Sequence, residues 1–168
     1  MASWSKVSEP TKEKMMPITL LIIDDEMPPS KGYDLIEQTF PGVFKIFRAT
    51  QYEVSGGQDI EGRDDGIACE LLKLWAFDVI LLDVSLGEEK LGPEIAAEIR
   101  SLAAFLPANR DAYLIGVSKN WGEPNLRIVS RRLKRLGLEV RGLDATVTGG
   151  AADLMQALKS FLDKRVGA

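Results

Sequence analysis

Histidine is missing from the chain, and cysteine occurs once, as Cys69. Without imidazole there is no His-ligated metal, no serine-histidine triad and no phosphohistidine on this chain. A single thiol excludes an internal disulfide and a thiolate zinc cluster. No apolar run approaches the roughly 20 residues of a membrane helix, and the first twenty residues lack the continuous apolar segment of a signal peptide. The expected compartment is therefore the cytoplasm, with no membrane partner. Neither sign of charge dominates: 21 basic residues face 25 acidic ones, a net charge of −4. Such a balance gives no whole-protein attraction to phosphate backbones, so nucleic acid is not an expected partner. The GxxxxGK[ST] and GxGxxG frames are absent, which disfavours nucleotide binding of those kinds. At 168 residues there is room for one folded domain and an extension.

What is present is an alternation of short apolar runs with amphipathic segments. Residues 1–16 are polar, mixed in charge and without hydrophobic period, and are expected to be a disordered leader to a single domain over 17–168. Ile18 to Ile23 is a β-branched apolar run that ends abruptly in Asp24, Asp25 and Glu26, the pattern of a buried strand meeting an acidic loop. Pro28 and Pro29 break the chain, and Ser30 offers an N-cap for a short helix through Phe40 with Leu35, Ile36 and Phe40 on one side. Val43 to Ala49 makes a second strand, residues 51–66 a long glycine- and acid-rich loop, and Ile67 to Trp75 a helix with Leu71, Leu72 and Trp75 inward. Cys69 on that helix reads as a small hydrophobe.

Phe77 to Leu82 is nearly all apolar, as suits a central parallel strand, and it too ends in a carboxylate, Asp83. Pro93 opens a helix through Leu102 with Ile95, Ile99 and Leu102 buried, and Ala112 to Val117 is a fourth strand ending at Ser118. A helix over Asn125 to Leu136, a fifth strand within Leu138 to Val147 and a last helix over Ala151 to Lys164 complete the series, the last with Leu154, Leu158, Phe161 and Leu162 inward. Five strands alternating with five helices predict an α/β fold: a doubly wound three-layer sandwich around a five-stranded parallel sheet in order 2-1-3-4-5.

In such sheets the site lies beyond the carboxyl ends of the strands. Strand one delivers Asp24 and Asp25 there, strand three Asp83 and strand four Ser118. Converging carboxylates repel, and a hard divalent cation relieves the repulsion; Mg²⁺ favours one or two carboxylates, several waters and a phosphate. A carboxylate beside such a cation can serve as nucleophile toward a phosphoryl group, and Asp83 is placed for it. Taken alone, Asp24 and Asp25 read more readily as turn acids, and Ser118 equally well as a loop hydroxyl.

The strings LLIIDDE, VILLDVSLGEEKLGPEIAAEIR and YLIGVS together resemble the response-regulator receiver (CheY-like) domain over roughly Ile18 to Lys164. The resemblance implies that Asp24 and Asp25 are the acidic metal pair, Asp83 the phosphoacceptor and third metal ligand, the backbone carbonyl of Ser85 a further Mg²⁺ ligand, and Ser118 the switch hydroxyl. It also implies a non-enzymatic signalling role in a phosphorelay, with a histidine kinase or phosphotransfer protein upstream and a downstream protein partner. The alternative is a pseudo-receiver, never phosphorylated, that acts as an interaction adaptor. A Mg²⁺-dependent phosphohydrolase is the weaker reading, because Ser85 stands where such enzymes carry a second acid.

One element of the family pattern is missing. The lysine and proline that end the fifth strand have no counterpart, since no lysine lies between Lys134 and Lys159; the position falls on Asp144 or within residues 147–149. Lys119 and Arg141 are the expected substitute cations, although arginine is longer and planar and Lys119 starts from another strand. The segment 119–141 carries seven basic residues against two acidic ones. On a helix, Arg127, Arg131, Arg132 and Arg135 form either a solvated face or a partner surface, suited to an acidic protein or to homodimerisation.

Overall fold

The computed structural model describes residues 17–24, 26, 29–52, 66–83, 92–117 and 143–167. Six parallel strands form the sheet: β1 (Ile18–Ile23), β2 (Phe44–Gln51), β3 (Gly66–Ile67), β4 (Val79–Leu82), β5 (Tyr113–Val117) and β6 (Ala145–Val147). Their spatial order is β3-β2-β1-β4-β5-β6. The five principal strands thus stand in the expected order 2-1-3-4-5. The two residues of β3 add an edge, paired to β2 across a register shift between Ala49 and Gln51, where the end of a loop (Gly66) and the start of a helix (Ile67) were expected.

The nearly all-apolar make-up of β1, where Thr19 is the exception, and of β4 follows from their position, because both faces are covered. On one face Leu21, Ile23, Ile80, Leu82 and Leu114 pack against helix α2 (Ala68–Leu74) and helix α3 (Gly92–Ser101) through Leu72, Ile95 and Ile99. On the other, Leu20, Ile22, Val79, Leu81, Ile115 and Val117 meet Tyr33, Ile36 and the last helix, α5 (Ala151–Gly167), through Leu154, Leu158 and Phe161. Strand alternation assigns the residues to the two faces.

The first helical segment is broken rather than continuous. Two 3₁₀ turns (Pro29–Lys31 and Tyr33–Leu35) flank Gly32 at φ +82°, and only Ile36–Thr39, α1, is α-helical. The left-handed residue resets the helical face, so Leu35 is exposed while Ile36 is fully buried. Trp75 and Leu102, expected inward, lie just past the ends of α2 and α3 and are partly exposed. A further four-residue helix, α4 (Pro107–Arg110), places Asn109. That buried amide accepts from Phe77 N (2.7 Å) and donates to Leu72 O and Trp75 O (both 2.8 Å), closing the carbonyl end of α2 and fixing the entry to β4.

At the amino ends of β1 and β4, Asp78 and Thr19 clasp the strands together. Asp78 Oδ2 accepts from Thr19 N (3.0 Å) and Oγ1 (3.1 Å), while Asp78 N donates to Thr19 O (2.9 Å). These bonds pin the β1–β4 register, which pairs Ile23 with Leu82. Ile22, Leu81 and Ile115 are fully buried in the sheet centre. Truncating Leu81→Ala is expected to cost about 2–5 kcal/mol, measured as a fall in the urea midpoint with the slope unchanged; an unaltered midpoint would contradict the central place of β4.

Candidate functional site at the ends of strands β1 and β4

Register and alternation together bring two carboxylates to one spot. Ile23 pairs with Leu82, so the next residues, Asp24 and Asp83, are neighbours, and Asp83 N donates to Ile23 O at 3.0 Å. Both follow the parity of the Ile22 and Leu81 face, the side covered by α1 and α5. Asp24 is 1% exposed and Asp83 8%. The structure therefore brings together two of the expected site residues. Asp25, Ser85, Ser118, Lys119, Arg127, Arg131, Arg132, Arg135 and Arg141 lie outside the described residues, as do the leader 1–16 and the helix expected over 125–136.

Two buried like charges need compensation, and part of it comes from a residue that was not among the expected site residues. Lys31 Nζ lies 2.6 Å from Asp24 Oδ2 and 2.8 Å from Asp83 Oδ1, donating to both. Tyr33 adds a hydrogen bond from its hydroxyl to Asp24 Oδ2 (2.8 Å), and Glu26 N donates to Asp24 Oδ1 (3.0 Å). Charge-assisted bonds of this kind are short and strong, and burial makes them more so. Burial opposes the charge on Lys31, but the hydrogen bonds to Asp24 and Asp83 and the negative charge of both outweigh it and raise its pKa above the ordinary 10.5. Burial, and then the charge of Asp24, raise the Tyr33 phenol as well.

The only hint of Lys31 in the sequence is short-range. It is the lysine that follows the acidic loop after the Pro28-Pro29 break, and its turn is held by steric fit. A Cβ on Gly32 would stand 2.5 Å from Ala151 Cβ and 2.8 Å from Ala151 Cα, and φ +82° is itself a glycine conformation. The turn carrying Lys31 therefore rests on the first residue of α5. Beyond β6, Asp153 Oδ2 accepts from Thr148 N (3.0 Å) and Gly149 N (2.9 Å), fixing the entry to that helix. Asp144, one of the places where the family's lysine would fall, serves the sheet instead. Its Oδ2 accepts from Leu114 N (2.9 Å) and from Arg100 Nη2 (2.8 Å), tying the start of β6 to β5 and α3.

Among the described residues, the two carboxylates Asp24 and Asp83 do not by themselves offer an open divalent-cation site. Both oxygens of Asp24 accept bonds from protein groups, and an ammonium occupies the space between the two carboxylates. Among the described residues no group of three or more carboxylates or thiols is placed to hold a metal ion.

Comparison with known proteins bears on the fold. No protein-family model and no curated protein matches the chain. Solved structures do match. The structural neighbours are response-regulator receiver domains. A CheY-like receiver domain protein from Methanospirillum hungatei is 17% identical, with a TM-score of 0.55 over 90% of this chain and 98% of that one. The signal receiver domain of a DNA-binding response regulator from Colwellia psychrerythraea is 21% identical, with a TM-score of 0.55 over 87% and 98%. The response regulator DrrB of Thermotoga maritima, an OmpR/PhoB homolog, is 18% identical, with a TM-score of 0.53 over 89% of this chain, which spans 54% of that protein. At these identities the likeness establishes the receiver fold. No helix among the described residues is long and apolar enough to cross a membrane.

Two expectations follow. Gly32→Ala should cost about 2–4 kcal/mol, from the positive φ and the collision with Ala151, and a midpoint equal to wild type would rule out the close approach. Lys31 and Tyr33 hold their protons more tightly folded than unfolded, as does Tyr52, whose phenol burial raises and whose hydroxyl donates to Glu98 Oε1 at 2.9 Å. Their contribution to stability is complete below about pH 10, where unfolded tyrosine and lysine begin to titrate, and is lost as the pH rises. Urea unfolding should show a lower midpoint at about pH 11 than at about pH 8, with a smaller drop in Tyr33→Phe; equal drops would contradict the role of Tyr33.

Proposed function

We propose that the chain is a receiver-like signalling module that accepts a phosphoryl group on Asp83 and acts through protein contacts. The observation that carries this reading is the placement of Asp83: buried at the carboxyl end of a central strand, beside Asp24, with an ammonium 2.8 Å from its Oδ1. In the transfer, a carboxylate oxygen of Asp83 attacks phosphorus while the bond to the donor's leaving group breaks, and the product is an acyl phosphate. Lys31 offers a fixed positive charge to the phosphoryl oxygens as they approach, which is stabilisation that needs no rearrangement of solvent. The Mg²⁺ that the receiver resemblance implies on Asp24, Asp25, Asp83 and the Ser85 carbonyl would neutralise phosphoryl charge when bound. Ser118 is proposed as the hydroxyl donor on the next strand, and Arg127, Arg131, Arg132 and Arg135 as the surface that meets a kinase, a phosphotransfer protein or an acidic target.

The Lys31 bridge supports a second reading. A pocket whose two acids are already compensated is stable without phosphate or metal, as an adaptor that is never phosphorylated requires. Intact-mass spectrometry after incubation with a small phosphodonor and Mg²⁺ separates the two. Wild type is expected to gain one phosphoryl group and Asp83→Asn none; a folded wild type that gains none would overturn the phosphoacceptor reading and favour the adaptor.

A further inference from the structure

We infer that Lys31 is a resident cation of the carboxylate pair and a direct competitor of divalent metal, so that a metal ion bridging Asp24 and Asp83 enters only by displacing it. The inference concerns the charge of the pocket and does not require Asp83 to be phosphorylated. Three observations converge on it. Lys31 Nζ makes two charge-assisted hydrogen bonds, one to each acid, through Asp24 Oδ2 and Asp83 Oδ1. A divalent ion bridging the same carboxylates would bring a second cation against the ammonium across shared oxygens, and two positive charges at that range repel strongly in a partly desolvated site. Tyr33 and Glu26 N hold Asp24 in the orientation that faces the lysine.

Lysine at this position therefore lowers the affinity for divalent ions. Removing it takes away a positive charge held 2.6 Å from one acid and 2.8 Å from the other, and a divalent ion gains what the ammonium gave up. Lys31→Met keeps the length and apolar stem of the side chain and removes only the charge. Mn²⁺ alone, with no phosphodonor present, is the probe, its free fraction read by electron paramagnetic resonance. Lys31→Met is expected to bind Mn²⁺ at least tenfold more tightly than wild type. A second measurement covers the case of a variant that is unfolded without metal: Mg²⁺ should raise the urea midpoint of Lys31→Met, or restore its fold, and should raise the wild-type midpoint far less. Equal or weaker Mn²⁺ binding by the variant would overturn the inference. So would a variant that Mg²⁺ neither stabilises nor refolds, since the metal should then be able to take the ammonium's place. Because no phosphoryl transfer is involved, failure here leaves the role of Asp83 to its own test.

Discussion

Two buried carboxylates on neighbouring strands repel unless a cation stands between them, and that constraint organises this end of the molecule. Parallel pairing of β1 with β4 leaves no choice about where Asp24 and Asp83 go: alternation turns both to the same face, and the register sets them side by side. The chain answers with an ammonium from the turn after β1. The rest of the local design serves that ammonium. A left-handed glycine bends the turn, the first residue of α5 props it, and a buried tyrosine takes up a remaining hydrogen-bonding position on Asp24.

The opposite ends of the same two strands show what an acid does there when its role is structural. Asp78 is spent on the backbone and hydroxyl of Thr19, within the ladder, and meets Arg165 only at 3.5 Å on the surface. Its bonds are satisfied by neighbours that any parallel pair supplies. Asp24 and Asp83 instead point past the last rung, where the ladder offers only part of what they need. One end of the strand pair is closed by its own backbone; the other is closed by a side chain brought from elsewhere, and is accordingly the end where chemistry can be exchanged.

The strand order and core could be read from the residues because each strand carries its own signal: an apolar run of the right length, bounded by breakers and covered on both faces. Ile22, Leu81 and Ile115 fall at the centre for that reason. Asp83 was legible because a carboxylate ending so apolar a run is conspicuous. Helical ends were less so. Trp75 and Leu102 fit a helical period that the helices do not extend far enough to use, and Leu35 fits a face that Gly32 rotates away. Lys31 is illegible because a lysine in a proline-rich turn looks like ordinary surface, and its importance arises only when the fold closes a separation of 52 residues to Asp83. The last strand, where the family pattern directs attention for a cation, holds Asp144 engaged with Arg100 and the backbone of β5.

The source of the compensating charge also bears on the order in which the pocket can be built. Lys31 is seven residues from Asp24, a loop whose closure costs little entropy. The ammonium can meet its first carboxylate as soon as β1 and the following turn are in place, and its second when β4 docks. A lysine on the last strand would have to wait for the whole sheet to close. With this charge supplied from the amino-terminal side, α5 meets the turn that carries it through shape, where Gly32 approaches Ala151, so the size of that one side chain sets how closely the last helix can seat beside the ammonium.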